Sequence, residues 1–394
     1  MNSQIGVTKT SAGAHEVGVL VRLCCTVFIS GITYGAYLPV VSLLVQSKLG
    51  FGDVITGTVV GLHFLATLLT RGYAGRLTDR IGARAAMFRG LVLCSCAGIF
   101  LALSSSVEGE RFVGLALIAI GRVCSGISES MVITAALSWG VGLAGAERAG
   151  RVMAWNGMAL YGAIALGAPC GIAVMHLGGT GLLGGVAALM PAAAIAAICS
   201  LKSTCVEGGN RLDFLAVLAA VWRGGATLAL QGVGFAAISS FVPLYFLKNG
   251  WQNPGFALSA FGGAFVLARV LFGSLPDRLG GYRVALGALA VESIGQLLML
   301  FAPSGIVAVL GAAITGFGCS LVFPALGALI VRRMPLRDRA LTIGLFTAFQ
   351  DVSYFATGPI AGVVATRLGY SAVYGLGTLA AFAGACLLLR SRTR

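Results

Sequence analysis

Charge is what this chain has least of. Asp, Glu, Lys and Arg make up 10% of its 394 residues, against about 25% in a soluble domain. Apolar residues reach 58%, and the mean hydropathy is +0.94. So few charges cannot cover a water-facing surface, which excludes an ordinary soluble fold and makes lipid the main solvent. Acidic residues are scarcer still, 13 against 27 Lys and Arg, for a net charge of +14. The basic residues sit in short turns and form no continuous arm, so nucleic acid is not an expected partner. There is no CxxC pair and no His/Cys cluster. The ten cysteines lie almost entirely inside apolar runs and read as small polarizable packing residues, which excludes a disulfide framework and a metal site. Walker A, HExxH and GxSxG motifs are absent, as is a cysteine–histidine arrangement. Direct use of ATP and the common hydrolytic chemistries are therefore not expected, and no catalytic residue or cofactor is assigned. The first apolar run follows a polar stretch, residues 1–18, and has no small-residue cleavage site, so it reads as a retained helix.

What the chain has in abundance is hydrophobic length. A bilayer span needs roughly 20 mostly apolar residues, and twelve candidates occur, at 19–46, 54–75, 85–105, 112–140, 152–176, 181–201, 222–247, 255–275, 284–302, 305–331, 340–366 and 370–390. The expected fold is an all-α integral membrane protein of twelve transmembrane helices. The longest break contains Lys202, Glu207, Arg211 and Asp213 at its edges or inside. It divides the chain into a six-helix half at 1–202, a cytoplasmic linker at 203–221 and a second six-helix half at 222–394.

A repeat supports that division. Arg71-Gly-Tyr-Ala-Gly-Arg-Leu-Thr-Asp-Arg-Ile-Gly82 returns 198 residues later as Arg269-Val-Leu-Phe-Gly-Ser-Leu-Pro-Asp-Arg-Leu-Gly280. Gly121–Ser125 aligns with Gly316–Ser320 at an offset of 195, and Gly167–Gly171 with Gly358–Gly362 near 190. One ancestral half written twice in the same orientation explains these offsets, because six spans return the chain to its starting side. Glycine, 58 residues in all, lets membrane helices approach closely. Only Lys48, Arg111, Lys248 and Arg367 lie in or beside loops of the second parity, and Arg71, Arg122 and Arg269 lie within helices. The other basic residues fall in loops of the first parity and at the termini, which predicts cytoplasmic termini by the positive-inside rule.

Ionisable residues within the spans cost about 2.5–3.5 kcal/mol each at the bilayer centre and mark function by default. Arg122 and Glu129 stand seven residues apart in one helix, so they point the same way, roughly 10 Å apart along the axis. Asp351 lies near mid-depth in the eleventh span, beside Gln350 and Ser353. Arg122, Glu129 and Asp351 are read as a buried charge set on a central pathway, against the alternative of a fixed interhelical ion pair. Arg269 and Glu292 fall at similar depth in consecutive antiparallel helices and are expected to form a structural ion pair. His63 reads as a packing histidine, with a proton relay as its alternative. In the repeated turns, Asp79 with Arg80 and Arg84, and Asp277 with Arg278, are candidates for a conformational latch framed by Gly75 and Gly82. Pro169 with Gly167 and Gly171, and Pro359 with Gly358, are expected to bend the fifth and eleventh helices. Tyr34, Tyr37, Asn156, Tyr161, Gln231 and Gln350 are candidates for lining a substrate cavity, and Trp139, Trp155 and Trp251 for anchoring span ends at the interface.

These motifs resemble those of the Major Facilitator Superfamily along nearly the whole chain. Gly75–Arg84 resembles the family signature after the second helix, with Gly273–Arg283 as its weaker echo. Gly121-Arg122 through Gly126 resembles the fourth-helix signature, whose arginine is associated with proton coupling. Gly162–Gly171 resembles the fifth-helix signature associated with antiporters, with Ala168 where Gly is usual. Gly150–Gly157 and Ser320–Gly327 are similar to a bacterial branch often described as arabinose-efflux-like permeases. The first helix lacks the membrane aspartate of many drug/proton antiporters. The resemblance implies a proton-driven exporter of small polar or amphipathic molecules in the bacterial cytoplasmic membrane, probing both sides by alternating access. Its partners would be the lipid bilayer, protons and a small-molecule substrate, with a monomer expected and the proton gradient as energy source. An importer or facilitator of a sugar or carboxylate is the alternative within transport, and a non-transporting membrane sensor the alternative outside it.

Overall fold

The structure is a computed structural model that describes residues 4–107, 109–145, 148–201, 214–332, 334 and 339–392. Those residues are almost entirely helical. In chain order they form α1 (Gln4–Leu43), a π-helical turn (Leu44–Lys48), α2 (Asp53–Ile81), α3 (Ala83–Ser104) and α4 (Arg111–Ala144). The segment Ala149–Cys199 breaks at Gly178 and Gly179 into two arms, α5 (149–177) and α6 (180–199). Then come α7 (Phe214–Lys248), α8 (Gly255–Phe272), a short helix (Leu275–Leu279), α9 (Gly281–Leu300), α10 (Gly305–Arg332), α11 (Arg339–Leu368) and α12 (Tyr370–Arg392). The passes coincide with the twelve predicted spans. The predicted linker 203–221 lies outside the described residues up to position 213. Its last part is not linker, because α7 already begins at Phe214.

Ten helices among the described residues are long and apolar enough to cross a membrane, with α5 and α6 counted as one. The helix missing from that set is α11, the one that carries Asp351.

The repeated glycines have a direct backbone cause. Gly82 turns the chain from α2 into α3 at φ 84°, and Gly280 leads into α9 at φ 86°. Gly179 and Gly369 do the same at φ 69° and 89° between α5 and α6 and between α11 and α12. Positive φ is open to glycine and strained for other residues. The same turn is thus built at the same place in each half.

Packing follows the repeat. In the first half α1 packs on α5, α2 and α3 on α4, and α3 on α6. In the second half α7 packs on α11, α8 and α9 on α10, and α9 on α12. The halves meet mainly through two seams, α2 against α11 and α5 against α8, which exchange under the repeat. Glycines set these crossings. A Cβ on Gly57 would collide with the Gly358 carbonyl, and one on Gly262 with the Tyr161 carbonyl. Each seam is a backbone-to-backbone contact of the kind that small residues allow in membranes.

Candidate functional site

The end of the bundle that carries the Gly82 and Gly280 turns is called the turn end here, and the opposite end the far end. From the far end toward the middle, a line of contacts joins the halves. Gln46 donates to the Tyr370 hydroxyl and, at 2.6 Å, to Asp53 Oδ1. Tyr370 donates to Asp53 Oδ1 at 2.8 Å, and Thr366 donates to Oδ2 at 3.2 Å. The Ser42 hydroxyl donates to the Ser240 carbonyl at 2.8 Å, between residues that are themselves 198 apart. Deeper in, Phe64, Phe235 and Tyr354 form an aromatic cluster with Tyr161, whose hydroxyl lies 3.2 Å from that of Tyr354. Of these cross-half contacts the one nearest the turn end is ionic. Asp351 Oδ2 on α11 accepts from Arg71 on α2, at 2.7 Å from Nε and 2.6 Å from Nη2. The carboxylate is 8% exposed and the guanidinium 22%.

The second charge site lies wholly within the first half. Glu129 Oε2 stands 2.5 Å from His63 Nε2, and the histidine is fully buried. The His63 ring stacks on Tyr34, with centroids 4.4 Å apart and an interplanar angle of 16°. Arg122, 1% exposed, donates from Nη2 to the Val60 carbonyl at 2.8 Å and lies 5.8 Å from the Tyr34 ring centroid. Its Nε and Nη1 are buried without a hydrogen-bond partner, as are the hydroxyls of Thr33, Tyr34 and Tyr37. Beside them Tyr34, Cys94, Ser125, Ser128 and Glu129 line a cavity of about 20 Å³, large enough to admit a single water. A paired carboxyl, a buried cation and polar groups around a water-sized cavity form an arrangement in which a proton can be held or passed on.

Several expectations from the sequence are revised here. Arg122, Glu129 and Asp351 are all buried or nearly so, and Asp351 forms an ion pair between helices of the two halves, the alternative reading for this set. Each takes a partner that composition could not supply: the Val60 carbonyl, His63 and Arg71 respectively. His63 is not only a packing residue, since it carries a polar bond to Glu129. The pairing of Arg269 with Glu292 is not present. Arg269 donates to the Ser320 carbonyl at 2.5 Å and lies 3.3 Å from the Ser320 hydroxyl. Glu292, fully buried, has no hydrogen-bond partner of good geometry on either carboxyl oxygen and faces Gln231 and Cys319. The physical reason is that α10 packs against both α8 and α9 and takes up the guanidinium with its own backbone. Equal depth does not fix azimuth. Trp139 is not an interfacial anchor, for it is fully buried.

In the turns, Asp79, Arg80, Asp277 and Arg278 are exposed and Gly75 is half-buried. Arg84 bonds the carbonyls of Cys199 and Leu201 at 3.3 and 3.2 Å, within its own half. Gly167 and Gly171 press against the α1 backbone at Ile32 and Ala36, Pro169 lies against Gly255, and Gly358 lies against Gly57 of α2, with Pro359 next to it inside α11. Of the cavity candidates, Tyr34, Tyr37, Asn156 and Gln231 are buried, and Tyr161 and Gln350 are half-buried. The far-end network of Gln46, Asp53, Thr366 and Tyr370 escaped the sequence reading. Its signal is a lone aspartate at the first position of α2, which looks like an ordinary helix start.

Comparison with known proteins agrees with this architecture. A family model described as Major Facilitator Superfamily matches residues 23–254 and 225–394. An uncharacterized MFS-type transporter of Salmonella typhimurium is 41% identical over 380 residues, covering 95% of this chain and 98% of the relative. One of Pseudomonas aeruginosa is 40% identical over 386 residues, covering 98% and 96%. Among solved structures, the human organic anion transporter MFSD10 (TETRAN) superposes with a TM-score of 0.67 over 95% of this chain and 99% of that one. At 16% identity that likeness carries the fold alone.

Proposed function

The chain belongs to the Major Facilitator Superfamily, a family of membrane transporters, and from that membership we propose that it is a proton-coupled exporter of small polar or amphipathic molecules. The observation that carries the proposal is the Arg71–Asp351 pair, because it joins the two halves across the α2–α11 seam. A proton on Asp351 removes the negative charge that holds Arg71. The seam is then left with its close glycine crossings and the far-end hydrogen bonds, and the halves can rock about them. Glu129 and His63 form a second proton-binding pair within the first half, and Arg122 biases it through its charge. In an exchanger working by alternating access these groups face one side of the membrane at a time, taking a proton on one side and releasing it on the other. The family-like signature at Gly162–Gly171 supports export over import. The arginine-rich turns support cytoplasmic placement of the turn end and of both termini, in a bacterial inner membrane. On that placement the turn aspartates Asp79 and Asp277 close the cytoplasmic side in the opposite conformation.

The test is transport in proteoliposomes under an imposed pH gradient, with a compound first selected by thermal shift on the purified protein. Asp351→Asn and Glu129→Gln should each reduce gradient-driven flux by at least about tenfold while leaving counterflow without a gradient measurable. Intact gradient-driven flux in both variants would remove the coupling assignment.

A further inference from the structure

At the turn end of the first half, α1, α4 and α5 enclose a cavity of about 180 Å³ that the coupling chemistry does not use. Leu20, Leu23, Ala136 and Val152 make its walls apolar, and Trp155 adds an aromatic face. Two cations, Arg148 and Arg151, line its exposed side. At its buried side lies Asn156, 6% exposed. The Asn156 amide donates from Nδ2 to the Val152 carbonyl at 3.0 Å, which fixes its orientation. Turning it over would set two carbonyl oxygens against each other. The atom left over is therefore an acceptor, and Asn156 Oδ1 is buried with no hydrogen bond. Arg151, Trp155 and Asn156 all come from Gly150–Gly157, a segment that the sequence singles out and that no step above explains.

We propose that this cavity binds a small amphipathic acid. Its carboxylate would meet Arg148 and Arg151, its apolar or single-ring body would lie along Val152, Leu20 and Trp155, and a hydroxyl or amine would donate to Asn156 Oδ1. The chemistry is that of a site with few polar groups, each with one role, around an apolar body. The proposal rests on the carrier reading only in taking such an acid as cargo. Binding itself needs neither a pH gradient nor Asp351.

The experiment is equilibrium dialysis of radiolabelled probes against the full chain in nanodiscs of zwitterionic lipid. The probes are 4-hydroxybenzoate, benzoate and benzyl alcohol. Saturable binding is expected for both acids, about tenfold tighter for 4-hydroxybenzoate than for benzoate, and none for benzyl alcohol. Arg151→Gln, at an exposed position, should weaken both acids by about tenfold. Asn156→Leu should abolish the advantage of the hydroxyl and leave benzoate unchanged. Binding is read with no gradient imposed, so a failure of the coupling mechanism is distinguishable from a failure of this site. The proposal is overturned if neither acid saturates, or if both cavity variants bind like the parent. It is equally overturned if discs containing anionic lipid displace the acids, which would make the occupant a lipid headgroup.

Discussion

Asp53 and Tyr370 bind each other across the two halves of the molecule, with the Tyr370 hydroxyl 2.8 Å from Asp53 Oδ1 and with Gln46 donating to both. Asp53 opens α2 and Tyr370 opens α12, so this one network ties the first turn of a helix in each half at the far end. The far-end tie and the mid-depth Arg71–Asp351 ion pair thus both bind α2 to the second half, at two different depths.

Tyr370→Phe removes the hydroxyl and leaves the ring in place. The loss of a hydrogen bond to a charged group is about 1.5–3 kcal/mol, or more than a tenfold change in an equilibrium constant. The far end should open more often. A single cysteine placed at Val54 should then be labelled faster by an impermeant maleimide in the variant than in the parent. Equal rates would show that the network does not hold the far end.

Gly358→Val tests the seam from the other side. Each of Gly57 and Gly358 lies against the backbone of the other, so any side chain there meets main chain rather than a flexible neighbour. Overpacking of this kind costs about 1–3 kcal/mol. Thermal unfolding of the purified variant should move downward, and cross-linking between cysteines across the α2–α11 seam should slow. Gly75→Ala is the internal control, since nothing lies within 4 Å of its added Cβ; it should leave both readouts unchanged.

Much of this architecture was legible in the sequence because it is carried by local patterns. Twelve apolar runs, a repeat at 198 residues and the turn glycines Gly82 and Gly280 each follow from a short window and a known physical need. The seams were not legible, because they depend on which face each helix turns inward. Asp351 is 280 residues from Arg71, and nothing near either one announces the other. The same limit applies to Glu129, whose partner His63 looks like any packing residue in an apolar run. Depth can be counted along one helix, whereas azimuth is set only when its neighbours are placed.

His63→Gln should separate coupling from structure. Glutamine can still bond Glu129 but cannot take a proton at physiological pH. The variant should unfold at a lower temperature, because the buried ring stacked on Tyr34 is lost, while the dependence of gradient-driven flux on pH should flatten relative to the parent. A variant with an unchanged pH profile would make the His63–Glu129 bond structural and leave Asp351 as the sole proton site.

The separation of Arg269 from Glu292 predicts the absence of an effect, which a double-mutant cycle measures directly. Arg269 is held by Ser320 on α10, and Glu292 faces Gln231 and Cys319. Groups with no shared bond add their effects to within about 0.3–0.5 kcal/mol, whereas a buried ion pair leaves a coupling several times larger. Arg269→Met should destabilise the second half by removing two bonds to α10. Glu292→Gln should cost less, because it keeps the shape and introduces no charge. The double variant should equal their sum. A coupling above about 1 kcal/mol would mean that the two side chains meet in another conformation of the cycle. In that case the ion pair expected from their equal depth is transient, and α10 is the element that moves to let it form.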